Sequence, residues 1–546
     1  MRKNSGFAAK VLPLRRVLLA ANFALLSGGL ATCVAHAADA SRYQVPSQAI
    51  VDMIDAPQVP QTLLSPNRDW LMLLERPALP PVAELAQPEI RIAGLRINPR
   101  NNNQSRTGQA TGIKLVKVAD RLEKAIVGLP QGARIGDAQW SPDGRRIAFS
   151  IVKENALELF TADANNGFAA KRLTDRALNA AFPKAFVWQS DSRSLLANFV
   201  PLGRAAPPKL TELPTGPSIL ENLGKRNTAR TYQDLLKSPH DEALFDYYGA
   251  SELSSIALDG KLTVITSGLI RAFQPSPDGE FVLVQLIRRP YSYSVPMSRF
   301  PLRTEIRDAR DQDAGKVVKV LSDLALSENE ELDPDAVRKG PRQYTWRGDA
   351  PATITWVQPL EGRRNGLGDQ LFALAAPFEA EPQPLAKVDL RFQTVFWGRD
   401  DIALVVEASR KTRRVITWKI FPGEPARAAV KLFDRSSEDR YGDPGSPMTE
   451  IDSRGSRLLN FSPDGKAIYL TGNGASPEGE HPFLDRFDFD TRETKRLYRS
   501  EAPYFDLPIA LFDTGPTPKL LLQRESVSEA PNIHLRDLTT GVMQAV

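Results

Sequence analysis

One short phrase constrains what this chain can fold into more than its length does. Gln139-Trp140-Ser141-Pro142-Asp143-Gly144-Arg145-Arg146-Ile147-Ala148-Phe149-Ser150 sets an apolar strand end before Ser-Pro-Asp-Gly and a second apolar run directly after it. Pro142 presets φ for the first central position of a type I turn, and Asp143 suits the next position. Gly144 tolerates the positive φ that closes a hairpin, and Ser141 has a hydroxyl for the local backbone. In the run that follows, small residues separate the β-formers, as in a strand covered on both faces.

The phrase returns as Ser65-Pro66-Asn67-Arg68, Ser276-Pro277-Asp278-Gly279 and Ser462-Pro463-Asp464-Gly465. Degenerate copies stand at Trp188-Gln189-Ser190-Asp191-Ser192, Trp346-Arg347-Gly348-Asp349 and Trp397-Gly398-Arg399-Asp400-Asp401. The positions equivalent to the serine are 65, 141, 189, 276, 347, 398 and 462, separated by 76, 48, 87, 71, 51 and 64 residues. Hairpin repeats of this size predict an all-β fold, a β-propeller with one four-stranded sheet per blade. Most steps exceed the roughly 40–50 residues of a minimal blade, so several blades must carry long insertions. Seven marks predict seven blades. A weaker mark at Phe512-Asp513-Thr514-Gly515 keeps eight as the alternative.

The first 37 residues read as an export signal. Arg2, Lys3, Lys10, Arg15 and Arg16 form a positive head, Val17 to Leu30 is largely apolar, and Ala35-His36-Ala37 fits a cleavage site. The apolar run is short for a membrane span. A twin-arginine signal at Arg15-Arg16, or a lipoprotein box at Leu30-Ala31-Thr32-Cys33, fits less well. Removal of the signal takes away five basic residues and no acidic one, which leaves 65 Lys+Arg against 65 Asp+Glu. The basic isoelectric point therefore belongs to the signal, and no basic stripe suggests nucleic acid or an anionic membrane as a partner. The single cysteine, Cys33, leaves as well. The expected product is a periplasmic or secreted propeller over residues 38–546, without disulfides and without membrane attachment after cleavage.

Three stretches read as insertions: about 77–110, rich in Pro and Asn and taken as a loop rather than a strand pair; 201–245, with a helix expected from Thr231; and 322–343, which holds the acidic run Ser327 to Asp333. Such loops decorate propeller faces, where binding usually resides. Near the C-terminus, Ile533-His534-Leu535-Arg536-Asp537-Leu538-Thr539-Thr540-Gly541 opens a strand-turn phrase seen earlier at 158–174 and 486–498, and the last repeat reads as cut short at Val546.

Chemistry is sparse. A serine hydrolase needs a strained nucleophile elbow, a histidine base and a carboxylate, and the chain has no G-x-S-x-G. The nearest phrase, Gly474-Ala475-Ser476-Pro477-Glu478-Gly479, reads as a loop after the strand Ile468 to Thr471, and His240, His481 and His534 read as ordinary surface residues. No histidine pair has metal-ligand spacing. Glu438, Asp439 and Asp443 lie among Arg435 and Arg440, so a salt-bridged loop explains them better than a calcium site. Neither a metal, a cofactor nor catalysis by this chain alone is expected.

Several long phrases do resemble a known family. They are Ile54-Asp55-Ala56-Pro57 with Arg76-Pro77-Ala78-Leu79-Pro80-Pro81; Leu244-Phe245-Asp246-Tyr247-Tyr248; Arg289-Pro290-Tyr291-Ser292-Tyr293-Ser294-Val295-Pro296 running to Arg299-Phe300-Pro301; Lys411-Thr412-Arg413-Arg414; Leu432 to Asp439 with Asp443-Pro444-Gly445-Ser446; and Gly472 to Pro477 with Pro482-Phe483-Leu484-Asp485. In these the chain is similar to the propeller region of prolyl oligopeptidase family serine peptidases, nearest to the glutamyl endopeptidase subgroup. The resemblance implies a propeller that admits peptide substrates to an α/β-hydrolase domain bearing Ser, Asp and His. That domain would begin about where this chain ends, so it is expected to be missing or a separate chain, and no catalytic residue is carried over. A preference for cleaving after glutamate implies cationic substrate contacts. Arg289, Arg299, Arg413, Arg414 and Arg435 lie in the matching phrases, with structural ion pairs as the competing reading. Tyr291 and Tyr293 are candidates for the entrance or for packing. The alternative function is a stand-alone periplasmic propeller that binds or scaffolds.

Overall fold

A computed structural model describes residues 45–182, 184–210, 231–310, 312–328, 333–361, 367–513 and 518–546. The stretch 1–37 read as an export signal, with Cys33, lies outside the described residues. The chain divides into two units, Met1–Ala56 and Pro57–Val546. In the first, the described element is the exposed helix Gln48–Asp55. The account below concerns the second.

The turn phrase folds as its chemistry dictates. In Ser141-Pro142-Asp143-Gly144 the Gly144 N–H donates to the Ser141 carbonyl at 2.8 Å, and Gly144 has φ +68°. The Ser141 hydroxyl donates to Asp143 at 2.5 Å and accepts the Arg146 N–H at 2.9 Å. The same bonds recur at Ser65, Ser276 and Ser462, whose hydroxyls accept from Trp70, Phe281 and Ala467 at 2.9, 3.0 and 3.0 Å. All four serines are buried. Each hydroxyl thus satisfies a backbone donor at the hairpin neck that would otherwise be buried without a partner.

The turns at Ser65, Ser141 and Ser276 join two neighbouring strands of an antiparallel meander, and the turn at Ser462 leads into Ala467–Gly472, the second strand of another. Six sheets have four strands, and a seventh sheet of seven strands is two such meanders joined by Leu262–Pro275. That 14-residue strand pairs through its first part with Ala250–Ala257 and from Ile270 onward with Phe281–Ile287. The described residues therefore form eight four-stranded units, one more than the seven strong marks. The eighth runs through Phe505–Asp513, Lys519–Glu525, Asn532–Asp537 and Met543–Ala545. Of the weak mark Phe512-Asp513-Thr514-Gly515, the residues Thr514 and Gly515 lie outside the described residues. Met543–Ala545 pairs with the preceding strand and is as long as the fourth strands Glu123–Ala125 and Ala170–Arg172 of the first two units.

Alternation along the strands explains how the units stack. In Arg146–Val152, Ile147, Phe149 and Ile151 pack with Trp70, Met72 and Leu115 of the first unit, while Ala148 packs with Phe186 and Leu195 of the third. Period-two alternation sends large residues one way and a small one the other. Six further apolar clusters join successive units in the same way, and the last closes the cycle. Leu521 and Ile533 of the eighth unit meet Leu71, Val116 and Val118 of the first, whereas Leu520 and Leu522 face the seventh. Each buried Leu or Ile adds about 1.5–3 kcal/mol. Every sheet is made from one continuous stretch of chain, so apolar packing rather than a shared sheet closes the cycle. Tryptophans just before the turns tie neighbours together: the indoles of Trp140, Trp188 and Trp346 donate to the carbonyls of Leu63, Gln139 and Gln274 at 3.0, 3.3 and 3.1 Å. Sheets of this kind, packed face to face in a cycle, are the blades of a β-propeller.

The insertions differ from the sequence reading in two places. Residues 77–110 do contain strands: Ile90–Ile92, Leu95–Asn98 and Asn103–Gln104 form a small sheet around Ala93-Gly94, both at positive φ. The alternation Ile-Arg-Ile/Leu-Arg-Ile is a strand signal that the flanking Pro and Asn residues obscure. The helix expected from Thr231 instead runs Pro239–Gly249. Ser238 caps it by accepting the Asp241 N–H, and Pro239 takes the first helical position, where a missing N–H costs nothing.

Candidate functional site

Two features stand apart from the repeated architecture. The first is a cavity of about 620 Å³ whose wall comes from the first strands of four units, including Leu63, Trp140, Trp188 and Leu511, and from the hairpin Thr449–Ile451/Arg457–Leu459. Its charged groups are Lys184, Arg68, Arg457 and Glu450. Arg68 is bound to Glu450 and to the Phe512 carbonyl, and Arg457 donates to Thr449 Oγ1 at 3.0 Å. Lys184 has left-handed backbone, φ +77°. Burial holds its ammonium below the usual lysine pKa, and Asp137 partly offsets this. A cavity lined by apolar and polar side chains with a few fixed charges can hold a ligand that has both kinds of group.

The second feature lies at the ends of the sheets opposite the Ser-Pro-Asp-Gly turns. The small sheet of 90–104, the helix Pro239–Gly249 and the loop 288–301 share one apolar cluster with Phe182 and Ile287. Phe245 is fully buried at its centre, edge-on to Phe182, Tyr291 and Phe300. Gly249 must be small, because a Cβ there would lie 2.9 Å from Phe182 and Leu269. Ions lock the rim. Arg289 forks between Glu242 at 2.5 Å and Asp246 at 2.6 Å and stacks over Tyr291. The Tyr291 hydroxyl also binds Asp246. Burial, followed by that bond to a carboxylate, drives the Tyr291 pKa far upward.

The candidate arginines are not gathered at one point. Arg289 is committed to Glu242 and Asp246. Arg413 pairs with Glu438 at 3.3 Å, and Arg414 forks onto Asp434 at 2.8 and 2.7 Å. Arg435 binds Asp443 at 2.8 Å. Arg299 ends the turn Met297–Arg299, and its carbonyl accepts the Ser327 N–H at 3.0 Å. Tyr291 belongs to the apolar cluster, and Tyr293 is exposed. Two arginines the sequence did not single out are Arg338, which donates to the carbonyl of Phe300, next in the chain to Arg299, at 3.1 Å, and Arg271, in the bulge between Ile270 and Ala272. The signal for Arg271 was available: it interrupts the strand-like run Leu269-Ile270-Arg271-Ala272-Phe273.

The remaining polar candidates are engaged locally. Ser476 sits in the hairpin Ala475–Ser476/Gly479–Glu480, where its hydroxyl lies 2.9 Å from Glu478 and 3.0 Å from the Gly479 carbonyl. His481 Nδ1 lies 2.9 Å from the Ser500 carbonyl, and His240 is in the first turn of the helix Pro239–Gly249. Glu438 and Asp443 are the partners of Arg413 and Arg435. Among the described residues no group of three His, Cys, Asp or Glu is placed to hold a metal, and no helix is long and apolar enough to cross a membrane.

The fold defines a propeller with a walled cavity and an elaborated rim. Comparison of the sequence names the group. Over 530 residues the chain is 37% identical to the probable chloroplastic glutamyl endopeptidase of Oryza sativa subsp. japonica, covering 90% of this chain and 55% of that protein. To the probable chloroplastic glutamyl endopeptidase of Arabidopsis thaliana it is 38% identical over 498 residues, covering 86% and 51%. The chain is a relative of the glutamyl endopeptidases of the prolyl oligopeptidase family, and it spans about half the length of these curated relatives. No family model matches it. Among solved structures, a prolyl endopeptidase aligns with TM-score 0.41 at 11% identity, covering 90% of this chain and 58% of that one. The propeller domain of the Trilobed protease of Pyrococcus furiosus aligns with TM-score 0.35 at 11% identity, covering 75% and 96%.

Proposed function

We propose that this chain is the substrate-admitting propeller, eight-bladed, of an exported serine peptidase that acts on peptides. An α/β-hydrolase domain carrying the Ser, Asp and His would supply the chemistry, either from the same protein or from a separate chain. The observation that carries the reading is the 37–38% identity to glutamyl endopeptidases across nearly the whole chain. The cavity supports it, because a volume of about 620 Å³ has room for a peptide segment and not for a folded protein. So does the placement of Leu244–Tyr248 and Arg289–Pro301 in one cluster at the elaborated rim, where a catalytic domain would dock. The leader at 1–37, the mature span 38–546 and a periplasmic or secreted location belong to the same proposal.

The test is hydrolysis of a chromogenic peptide with an internal glutamate. The purified chain would be assayed alone and after mixing with the hydrolase domain encoded beside it, or with that of a related glutamyl endopeptidase. Activity on mixing, with selection against folded proteins that the hydrolase domain alone lacks, is the expected result. A hydrolase domain whose rate and selectivity are unchanged by this chain would refute the gating role.

A further inference from the structure

The first strand of the seventh unit is interrupted. It begins as Ser446–Pro447, and a hairpin then leaves it, with Thr449–Ile451 paired to Arg457–Leu459. The chain departs and returns without a change of register. Pro447 pairs with Leu470, the Met448 N–H donates to the Tyr469 carbonyl at 2.8 Å, and Phe461 pairs with Ile468. The Asn460 N–H closes the neck by donating to the Met448 carbonyl at 3.0 Å. The ladder runs through as though the hairpin were absent, and the hairpin reaches inward instead.

Its base is apolar and its tip is polar. Leu459 is buried against Ile402 and Ile468, and Leu458 packs on the cluster of Trp397 and Val405 in the sixth unit. The Asp452 carboxylate shapes the tip by accepting the N–H groups of Arg454 and Ser456 at 3.0 and 2.8 Å. Arg454 Nη2 donates at 3.3 Å to the carbonyl of Gly348, in the turn of the fifth unit. Gly455 lies against Pro142 in the turn of the second unit, where a Cβ on Gly455 would stand 3.0 Å from Pro142 Cγ. Glu450 is ion-paired with Arg68, in the turn of the first unit. The second and fifth units are three steps apart in the cycle, yet the consecutive residues Arg454 and Gly455 touch both. The tip therefore stands across the mouth of the central channel at the turn end. Glu450, Ile451, Gly455 and Arg457 also line the cavity of about 620 Å³.

We propose that residues 449–459 form a lid on the turn end of the channel, anchored by Leu458 and Leu459 and latched to the first unit by Arg68–Glu450. A solute reaches the cavity through this mouth only when the tip lifts. An ion pair at the surface is weak and is screened by salt, so the latch opens far more readily than the buried base. Weakly held segments of this kind are the ones that move as lids. The inference goes beyond the peptide-admitting reading and does not depend on it, because the lid bars any solute.

The test uses the full chain with Cys33→Ser, which removes its one cysteine. Val187→Cys then places a thiol on the cavity wall, and its rate of reaction with a maleimide fluorophore reports access. Replacing residues 452–456 by Asn-Gly closes the hairpin as a two-residue turn between Ile451 and Arg457. That shortening should raise the rate at least about tenfold, as for a lid open a tenth of the time or less. Glu450→Arg sets two arginines together and should raise the rate about threefold, and adding Arg68→Glu should bring it back. This reversal and rescue decides the matter even where the shortened hairpin folds poorly, because both residues lie at the surface. The closed position has its own check. A Cβ on Gly455 would lie 3.5 Å from Pro142 Cβ, within disulfide reach, so Pro142→Cys with Gly455→Cys should cross-link within one chain under mild oxidation. Labelling rates that ignore both the shortened tip and the charge reversal would overturn the lid. A folded double-cysteine chain that does not cross-link would overturn the closed position of the tip.

Discussion

The two ends of the sheets are built on different principles. At the turn end, one set of bonds recurs at Ser65, Ser141, Ser276 and Ser462, with indole ties from Trp140, Trp188 and Trp346 between neighbours. At the opposite end nothing repeats. A small sheet, a capped helix and an ion-locked loop converge from separate insertions on Phe245. The uniform end specifies a scaffold through local chemistry that can be copied from unit to unit. The irregular end is assembled from contacts distant in sequence, and it concentrates the phrases that set this chain apart from other propellers.

Deep truncations should separate the two ends most clearly. Phe149 and Phe245 are both fully buried, and replacing either by alanine should cost about 3–5 kcal/mol. Phe149→Ala removes packing between two sheets and should lower the midpoint of global unfolding by denaturant. Phe245→Ala should instead release the rim, with faster amide exchange at 90–104 and 239–249 and a smaller change in the midpoint. Equal effects on global unfolding would mean that the rim is part of the scaffold.

Smaller effects belong to the turns. Ser141→Ala and Ser462→Ala each remove one bond to the turn aspartate and strand an N–H, of Arg146 or Ala467, at the neck. Each should cost about 1–3 kcal/mol, with similar values at the two sites. Unequal values would show that the copies are not equivalent.

Acid should act on the rim through Asp335. This carboxylate is 5% exposed and accepts from the Ser409 hydroxyl and the Arg410 N–H at 2.7 Å each. Burial alone would raise its pKa, but those bonds outweigh it and the pKa is lowered. A carboxyl depressed in the folded state adds stability that is fully present above its unfolded pKa near 3.8 and is lost as pH falls through the folded value. Asp335→Asn should therefore reduce stability at neutral pH and flatten the acid limb below about pH 4. An unchanged acid limb would exclude that role.

The smallest effect should come from Arg414. Its fork onto Asp434 is exposed, and Arg414→Ala should change stability by about 0–1 kcal/mol. A loss of peptide selectivity with that variant would restore Arg414 as a substrate contact.

What could be read in the sequence follows the same division. The turns were legible because Ser, Pro, Asp and Gly each have a local reason to be there, so the sheets and their order followed. The eighth unit was faint because Phe512-Asp513-Thr514-Gly515 lacks the serine that marks the others. Ile90–Ile97 was hidden by its neighbours, and the helix start was placed at Thr231 instead of the cap at Ser238. The rim arginines were harder. Which of them meets a carboxylate depends on residues far away in the chain, such as Glu242 for Arg289.

The most direct test of the account is amide exchange of the full chain with and without the glutamate peptide. Peptide binding should protect the rim at 90–104, 239–249 and 288–301 together with the first strands that wall the cavity. It should leave the exposed outer strands Glu123–Ala125 and Thr494–Arg499 unchanged. Protection confined to those outer strands, or absent everywhere at saturating peptide, would contradict the assignment of the elaborated rim as the working end of this propeller.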